Sequence, residues 1–297
     1  MIADAAQRPV LLEEAVAGLA LKSKGIYIDA TFGRGGHSRR ILDVLGDEGR
    51  VVAIDRDPAA EAEARTWRDS RFSFRRAWFS ELPQVLDSTG VAAIDGVLFD
   101  LGVSSFHLDA SGRGFSSQRD EPLDMRFDAG DSARETAADL LATRGADELS
   151  ALFRTYGEER FASRIARTIV ARRRVAPLRT SGELLAAIEQ SLPPHVRWRA
   201  GRDAARVFQA LRIAVNGELE AVADALPQAL DALAPGGRLV VIAFHSLEDR
   251  LTKRFLRDAE RAGRVRVLTK RPIQAGDAEI AANPRAASAK LRAAERM

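Results

Sequence analysis

Along the first hundred residues, short apolar runs alternate with amphipathic segments. Runs rich in apolar and β-branched residues occupy 26–30, 50–55, 72–76 and 94–100, and helical periodicity fills 38–45, 59–68 and 81–87. Strands alternating with helices of that length predict a parallel, doubly wound α/β sheet. The second and fourth runs, VVAID and DGVLFD, are apolar throughout and end in an aspartate. This is the pattern of a strand buried on both faces that delivers a carboxylate to the sheet's C-terminal edge.

The alternation then stops. Residues 101–205 contain no clear parallel-strand run, but a turn-rich acidic stretch, HLDASGRGFSSQRDEPLDMRFDAGD, followed by helical periodicity at 133–143, 146–155, 158–173 and 181–192. A further helix is predicted over 206–223. The α/β pattern returns with LAPGGRLVVIAF, read as a turn and a buried strand, and with a helix over 247–259. The chain therefore predicts a discontinuous α/β domain, 1–108 and 207–297, interrupted by a helical domain at 109–206. The terminal segment AANPRAASAKLRAAERM is polar and basic, and is expected to stay mobile until a ligand orders it.

Composition narrows the chemistry. Among 297 residues there is no cysteine, which removes disulfides, thiolate metal sites and the cysteine-adduct route to pyrimidine C5 methylation. No metal site is expected. No membrane-length apolar run and no signal-type N-terminus occur, so a cytoplasmic location is expected. The net charge is only +3, yet it is unevenly spread. Residues 81–148 carry fourteen acids against five arginines, 160–212 twelve arginines against three acids, and 250–297 thirteen basic residues against five acids. Two basic blocks in a near-neutral chain point to a polyanionic partner rather than to a merely solvated face.

The segment Asp29-Ala30-Thr31-Phe32-Gly33-Arg34-Gly35-Gly36-His37 joins the first strand to a helix. Glycines there admit positive φ and close approach of a ligand. The spacing is neither GxGxxG nor a phosphate-binding GK[ST] loop. Asp55 closes the second strand, where a carboxylate can accept both hydroxyls of a ribose. An adenosine cofactor without a pyrophosphate fits this set, and the acid at Asp29 favours a cationic one. S-adenosylmethionine is therefore expected over NAD.

The fourth strand runs into Asp100-Leu101-Gly102-Val103-Ser104-Ser105. An exocyclic amino group is a poor nucleophile because its lone pair is delocalised into the ring. Asp100, Ser104 and Ser105 supply acceptors that could orient its N–H groups and localise that pair, which makes them the candidate catalytic residues. The competing reading is a serine turn that only caps a helix.

Taken in order, DATFGRGGHS, DLGVSSFHLD, GRGFSS, EPLDMRFD, YGEER, FQALRIAVNGEL, FHSLEDR and NPRAASAKLR closely resemble the ribosomal small-subunit methyltransferase H family. The resemblance runs from about residue 9 to residue 296. It implies a class I S-adenosylmethionine-dependent methyltransferase sheet with a helical insert, and methylation of a cytidine N4 in the decoding region of 16S ribosomal RNA. It also implies cofactor contacts at Gly35, Gly36, His37, Asp55, Phe79 and Asp100, with His107 where the family has glutamine. Gln7, the Arg202-Asp203-Ala204-Ala205 entry to the FQALRI segment, and Ala286 and Ala287 are further departures from the family pattern.

Candidate RNA contacts follow from charge and position. Arg160, Arg164 and Arg167 recur at helical spacing beside the stripe Phe161, Ile165 and Ile169. With Arg172, Arg173 and Arg174 they would form a phosphate-tracking face, although docked surface helices often carry solvated arginines. Arg212 and Asn216 are expected to line a base pocket. His245 and Ser246 follow the fifth strand at the same edge as Asp100, but a histidine so placed is as often structural as functional. The expected partner is 16S RNA, within the small ribosomal subunit, and neither DNA nor a membrane. Two other readings stand beside this one: a methyltransferase acting on a small molecule or protein, and a non-catalytic cofactor-binding assembly factor.

Overall fold

The computed structural model describes residues 9–104, 107–108, 111–128 and 133–297. Gln7 and Ser105 lie outside them. The chain divides into two compact units, Met1–Gly102 with Leu219–Met297, and Val103–Glu218.

The first unit is built on a seven-stranded sheet. After helix α1 (Leu12–Leu19) come β1 (Ile26–Asp29), α2 (Gly36–Val44), β2 (Arg50–Asp55), α3 (Pro58–Ala64), β3 (Phe72–Arg76), α4 (Leu82–Thr89) and β4 (Ile94–Asp100). The unit resumes with most of α10 (Glu218–Ala232), then β5 (Leu233–Ala243), α11 (Ser246–Arg261), β6 (Val265–Val267), α12 (Asp277–Ala282) and β7 (Lys290–Arg296). Spatial order is β3-β2-β1-β4-β5-β7-β6. Strands β1 to β5 pair in parallel, and β7 runs antiparallel between β5 and β6. This is the expected class I fold. The central strands pack on one face against Leu82, Val85, Leu226 and Leu230, and on the other against Leu11, Leu19, Ile41 and Leu42.

Two details of this unit differ from the sequence reading. Pro235-Gly236-Gly237 falls inside β5, where a register shift opposite Ile94/Gly96 absorbs the irregularity. The terminal segment is not a loose tail. Leu291, Ala293 and Ala294 are buried, and their strand holds both neighbours by backbone hydrogen bonds. Alternating small apolar residues in KLRAAER carried that strand, behind a composition that reads as polar.

The second unit contains α5 (Ala137–Thr143), α6 (Ala146–Gly157), α7 (Ala162–Arg173), α8 (Ser181–Ser191) and α9 (Ala200–Asn216). They enclose a core of Phe153, Ile165, Ile169, Leu184, Ile188, Phe208 and Leu211. Thr136 and Thr180 cap α5 and α8, each accepting from the backbone three residues on, while Asp139 and Glu183 reach back in capping boxes. The single helix expected over 206–223 is two helices. Gly217, at φ 61°, ends α9 in the left-handed conformation and α10 starts at the next residue. The unit's limits, 103 and 218, differ from the 109 and 206 read from the sequence, because α9 contributes Val207, Phe208, Leu211 and Val215 to the helical core.

Among the described residues no helix is long and apolar enough to cross a membrane.

Candidate active site

Parallel register aligns the C-terminal ends of β1, β2, β4 and β5. Asp29 stands beside Leu98 of β4, and Asp100 beside Ile242 of β5. Three carboxylates, Asp29, Asp55 and Asp100, therefore leave the sheet at one edge, and the environment gives each a different task.

Asp29 is fully buried. Its carboxylate accepts the Ser38 hydroxyl at 2.6 Å and the Thr31 N–H at 3.2 Å, and burial raises its pKa. Those bonds commit it to shaping the β1–α2 loop rather than to direct ligand contact. Thr31 in turn accepts the Asp100 N–H at 2.7 Å, which ties the loop to the end of β4.

The same loop places Gly35 at φ 76°, where a Cβ would meet Trp67 at 2.3 Å and Phe32 at 2.6 Å. Only glycine satisfies both the backbone and the space. Asp55 is held at the end of β2 by the N–H groups of Gly33 (2.8 Å) and Asp57 (2.9 Å). Phe79 follows β3 in a 3-10 turn and meets Phe99 edge-on at 5.8 Å, and the Ala77 N–H bonds to the Asp55 carbonyl. An aromatic face thus stands two residues beyond a residue anchored at Asp55, as a nucleobase flanking a ribose would require.

Asp100 carries the electrostatics. Its Oδ2 lies 3.5 Å from His37 Nδ1, and its buried Oδ1 has no hydrogen-bond partner among the described residues. Burial is the main force pushing its pKa up to about 6. The His37 ring opposes that rise, and the charges of Asp29 and Glu248 reinforce it. His37 is itself buried, with Nε2 3.2 Å from the Val10 carbonyl. A carbonyl can only accept, so Nε2 carries the hydrogen. This leaves Nδ1 as the ring nitrogen that faces Asp100.

An orphaned, buried carboxylate oxygen beside a glycine loop, a ribose-type acceptor and an aromatic face fits a cationic adenosine cofactor. The family model described as MraW methylase matches residues 4–297. The chain belongs to the MraW methylase family. Small-subunit ribosomal RNA methyltransferase H of Thiobacillus denitrificans is 50% identical over 310 residues, covering 99% of this chain and 98% of that one. The counterpart from Thioalkalivibrio sulfidiphilus is 52% identical, with 98% of each chain covered. The one from Dechloromonas aromatica is 49% identical and spans both chains fully. This MraW methylase is an S-adenosylmethionine-dependent enzyme of class I fold, and the residues at the sheet edge fit that cofactor.

The remaining candidates are distributed unevenly. Ser104 and His107 belong to the helical unit. Ser104 Oγ lies 3.0 Å from His107 Nδ1, and that ring sits between Phe115 and Phe127 at centroid distances of 5.2 and 5.0 Å. Asn216 is buried. It donates to the carbonyls of Met125 (2.7 Å) and Arg212 (2.9 Å) and accepts the Phe127 N–H (2.9 Å). Arg212 grips Glu218 through two bonds of 2.8 and 2.9 Å. Arg173 donates 2.6 Å bonds to the carbonyls of Leu141 and Arg144. Asn216, Arg212 and Arg173 are thus engaged by internal bonds, whereas Arg160, Arg164, Arg167 and Arg174 are exposed.

His245 caps α11, with its Nε2 3.1 Å from the buried Glu248, and Ser246 opens that helix. Glu248 also accepts the Phe244 N–H at 2.8 Å. Sequence reasoning missed Thr31, Val10 and Glu248. All three lie inside or beside the quoted motifs, but Thr31 and Val10 act through a hydroxyl and a carbonyl that no side-chain pattern advertises.

Proposed function

We propose that this protein transfers a methyl group from S-adenosylmethionine to N4 of a cytidine in the decoding region of 16S ribosomal RNA, within the small subunit, in the bacterial cytoplasm. The observation that carries the chemistry is the buried Asp100 carboxylate, with Oδ1 unpartnered and His37 3.5 Å from Oδ2. The relatives' name supports the RNA, and the family resemblance supports the nucleotide. S-adenosylmethionine supplies an electrophilic methyl carbon when bound.

The chain's own groups do the rest. Asp55 accepts the ribose hydroxyls and Phe79 flanks the adenine. Asp100, ionised, accepts a hydrogen bond at the reacting edge, which rewards the arrangement in which charge moves toward that edge. No covalent adduct is needed, and the methylated amine releases its extra proton to solvent. Ser104 and Ser105 remain candidates for orienting the amino group. An unpaired or extruded target base suits this reaction, because unstacking a paired one costs a few kcal/mol.

Incubation with methyl-labelled cofactor and, separately, naked 16S RNA, assembled small subunits, whole ribosomes, duplex DNA and ribosomal protein tests the acceptor. Label is expected in the RNA of at least one of the first three. Label confined to protein or DNA would contradict the proposal.

A further inference from the structure

We propose that Trp198 is a stacking platform for an unpaired base of a bound RNA strand. The inference rests on the RNA acceptor argued above and adds a contact to it. Three tryptophans occur in the chain. Trp67 lies against Phe72 at 4.5 Å with the Arg39 guanidinium 4.4 Å from its ring, and Trp78 carries Arg56 at 3.5 Å. Trp198 is covered less: the Arg199 guanidinium lies 5.9 Å from its ring centre, and the residue is 78% exposed. Among the described residues it is the sole exposed large apolar side chain between 176 and 267.

Its backbone is well held. Pro193 and Pro194 stiffen the entry to the 3-10 turn Pro194–Arg199, which runs directly into α9. On either side, Leu192, Ala200 and Ala204 are buried in the helical unit. The indole is thus presented outward from a fixed turn rather than carried on a loose one. The exposed indole therefore offers a flat apolar face that an occupant could cover.

Charge selects the occupant. Residues 193–206 hold Arg197, Arg199, Arg202 and Arg206 against one acid, Asp203, which is buried. His195, Arg197 and Arg202 are exposed around the indole in sequence. A second protein surface would ask for a contiguous apolar patch, and a membrane for several apolar anchors. A single aromatic face beside the Arg199 guanidinium, in an arginine-rich segment, matches a nucleic-acid strand, in which each base offers a π-face and each linkage a negative charge.

The test uses the full chain, with Trp198→Leu and Trp198→Phe. An unstructured ten-nucleotide RNA and heparin, a polyanion without bases, are titrated against each protein. RNA is expected to quench a part of the tryptophan emission that Trp198→Phe lacks, and heparin to leave that part unchanged. Trp198→Leu should weaken RNA binding about tenfold, while Trp198→Phe retains most of it. Heparin affinity and thermal melting should stay as in the wild type, which shows the variants folded.

RNA affinity unchanged in Trp198→Leu, or equal loss of RNA and heparin binding, would overturn the proposal. So would a wild-type dimer in sedimentation that Trp198→Leu dissolves without RNA. Methyl transfer to small-subunit RNA by the wild type is read separately: its absence, with Trp198 quenching intact, would overturn the acceptor and not the platform.

Discussion

His37 Nδ1 faces Asp100 Oδ2 at 3.5 Å, while the opposite ring nitrogen is engaged by the Val10 carbonyl. The Val10 carbonyl, which can only accept, thereby turns the other ring nitrogen toward Asp100. Burial, helped by the nearby charges of Asp29 and Glu248 and opposed by His37, raises the Asp100 pKa to about 6 against a usual 3.8.

The sign of the pH dependence follows. A carboxyl whose folded pKa is raised binds its proton more tightly in the folded state, so its contribution favours folding at low pH and is lost between about pH 4 and 6. Asp100→Asn is expected to stabilise the cofactor-free protein at pH 7.5 by about 1–3 kcal/mol, the size of a shift of roughly two pH units. Thermal melts at pH 5 and 7.5 check this: the gain should be large at the higher pH and small at the lower. Cofactor kcat/KM in the wild type should fall on an acid limb near pH 6.

Gly35→Ala combines strain at φ 76° with a Cβ placed 2.3 Å from Trp67. We expect a loss of about 2–4 kcal/mol in stability and at least a tenfold weaker cofactor affinity, read by melting and calorimetric titration.

The arginines of α7 separate into two groups. Arg173→Ala removes two 2.6 Å bonds to the Leu141 and Arg144 carbonyls and should lower stability by about 1–2 kcal/mol, with little change in the salt dependence of RNA binding. Replacing Arg164, Arg167 and Arg174 together should leave the melting point near the wild-type value. It should also reduce the slope of log K against log salt by about 2. Equal behaviour of the two variants would refute this division.

Asn216→Ala should destabilise by about 2–3 kcal/mol, because it strips partners from the Met125 carbonyl and the Phe127 N–H around a Met125 held at φ 58°. Denaturant unfolding measures it. Asn216→Asp keeps the acceptor for Phe127 but sets an acceptor oxygen against the Met125 and Arg212 carbonyls, and should destabilise at least as much as Ala.

The sheet was largely legible because buried strands leave continuous apolar runs, as in VVAID and DGVLFD, and because Asp55 and Asp100 end them. The strand 290–296 was not, since its buried stretch 291–294 consists of one leucine, two alanines and the charged Arg292. Gly35 was legible as a loop glycine, but its crowding by Trp67 and Phe32 arises from side chains more than thirty residues distant in one case. Arg173 and Asn216 show the converse. Their residue types suit nucleic acid equally well, and the carbonyls that folding brings to them, which bind them internally, leave no trace in the sequence.

The most direct measurement is the identity of the modified nucleoside. Small-subunit RNA lacking this methylation is treated with the protein and S-adenosylmethionine, digested and resolved by mass spectrometry, with Asp100→Ala in parallel. N4-methylcytidine at one decoding-region position, absent with Asp100→Ala, is the predicted result. C5-methylcytidine, a methylated ribose alone, or undiminished product from Asp100→Ala would contradict it.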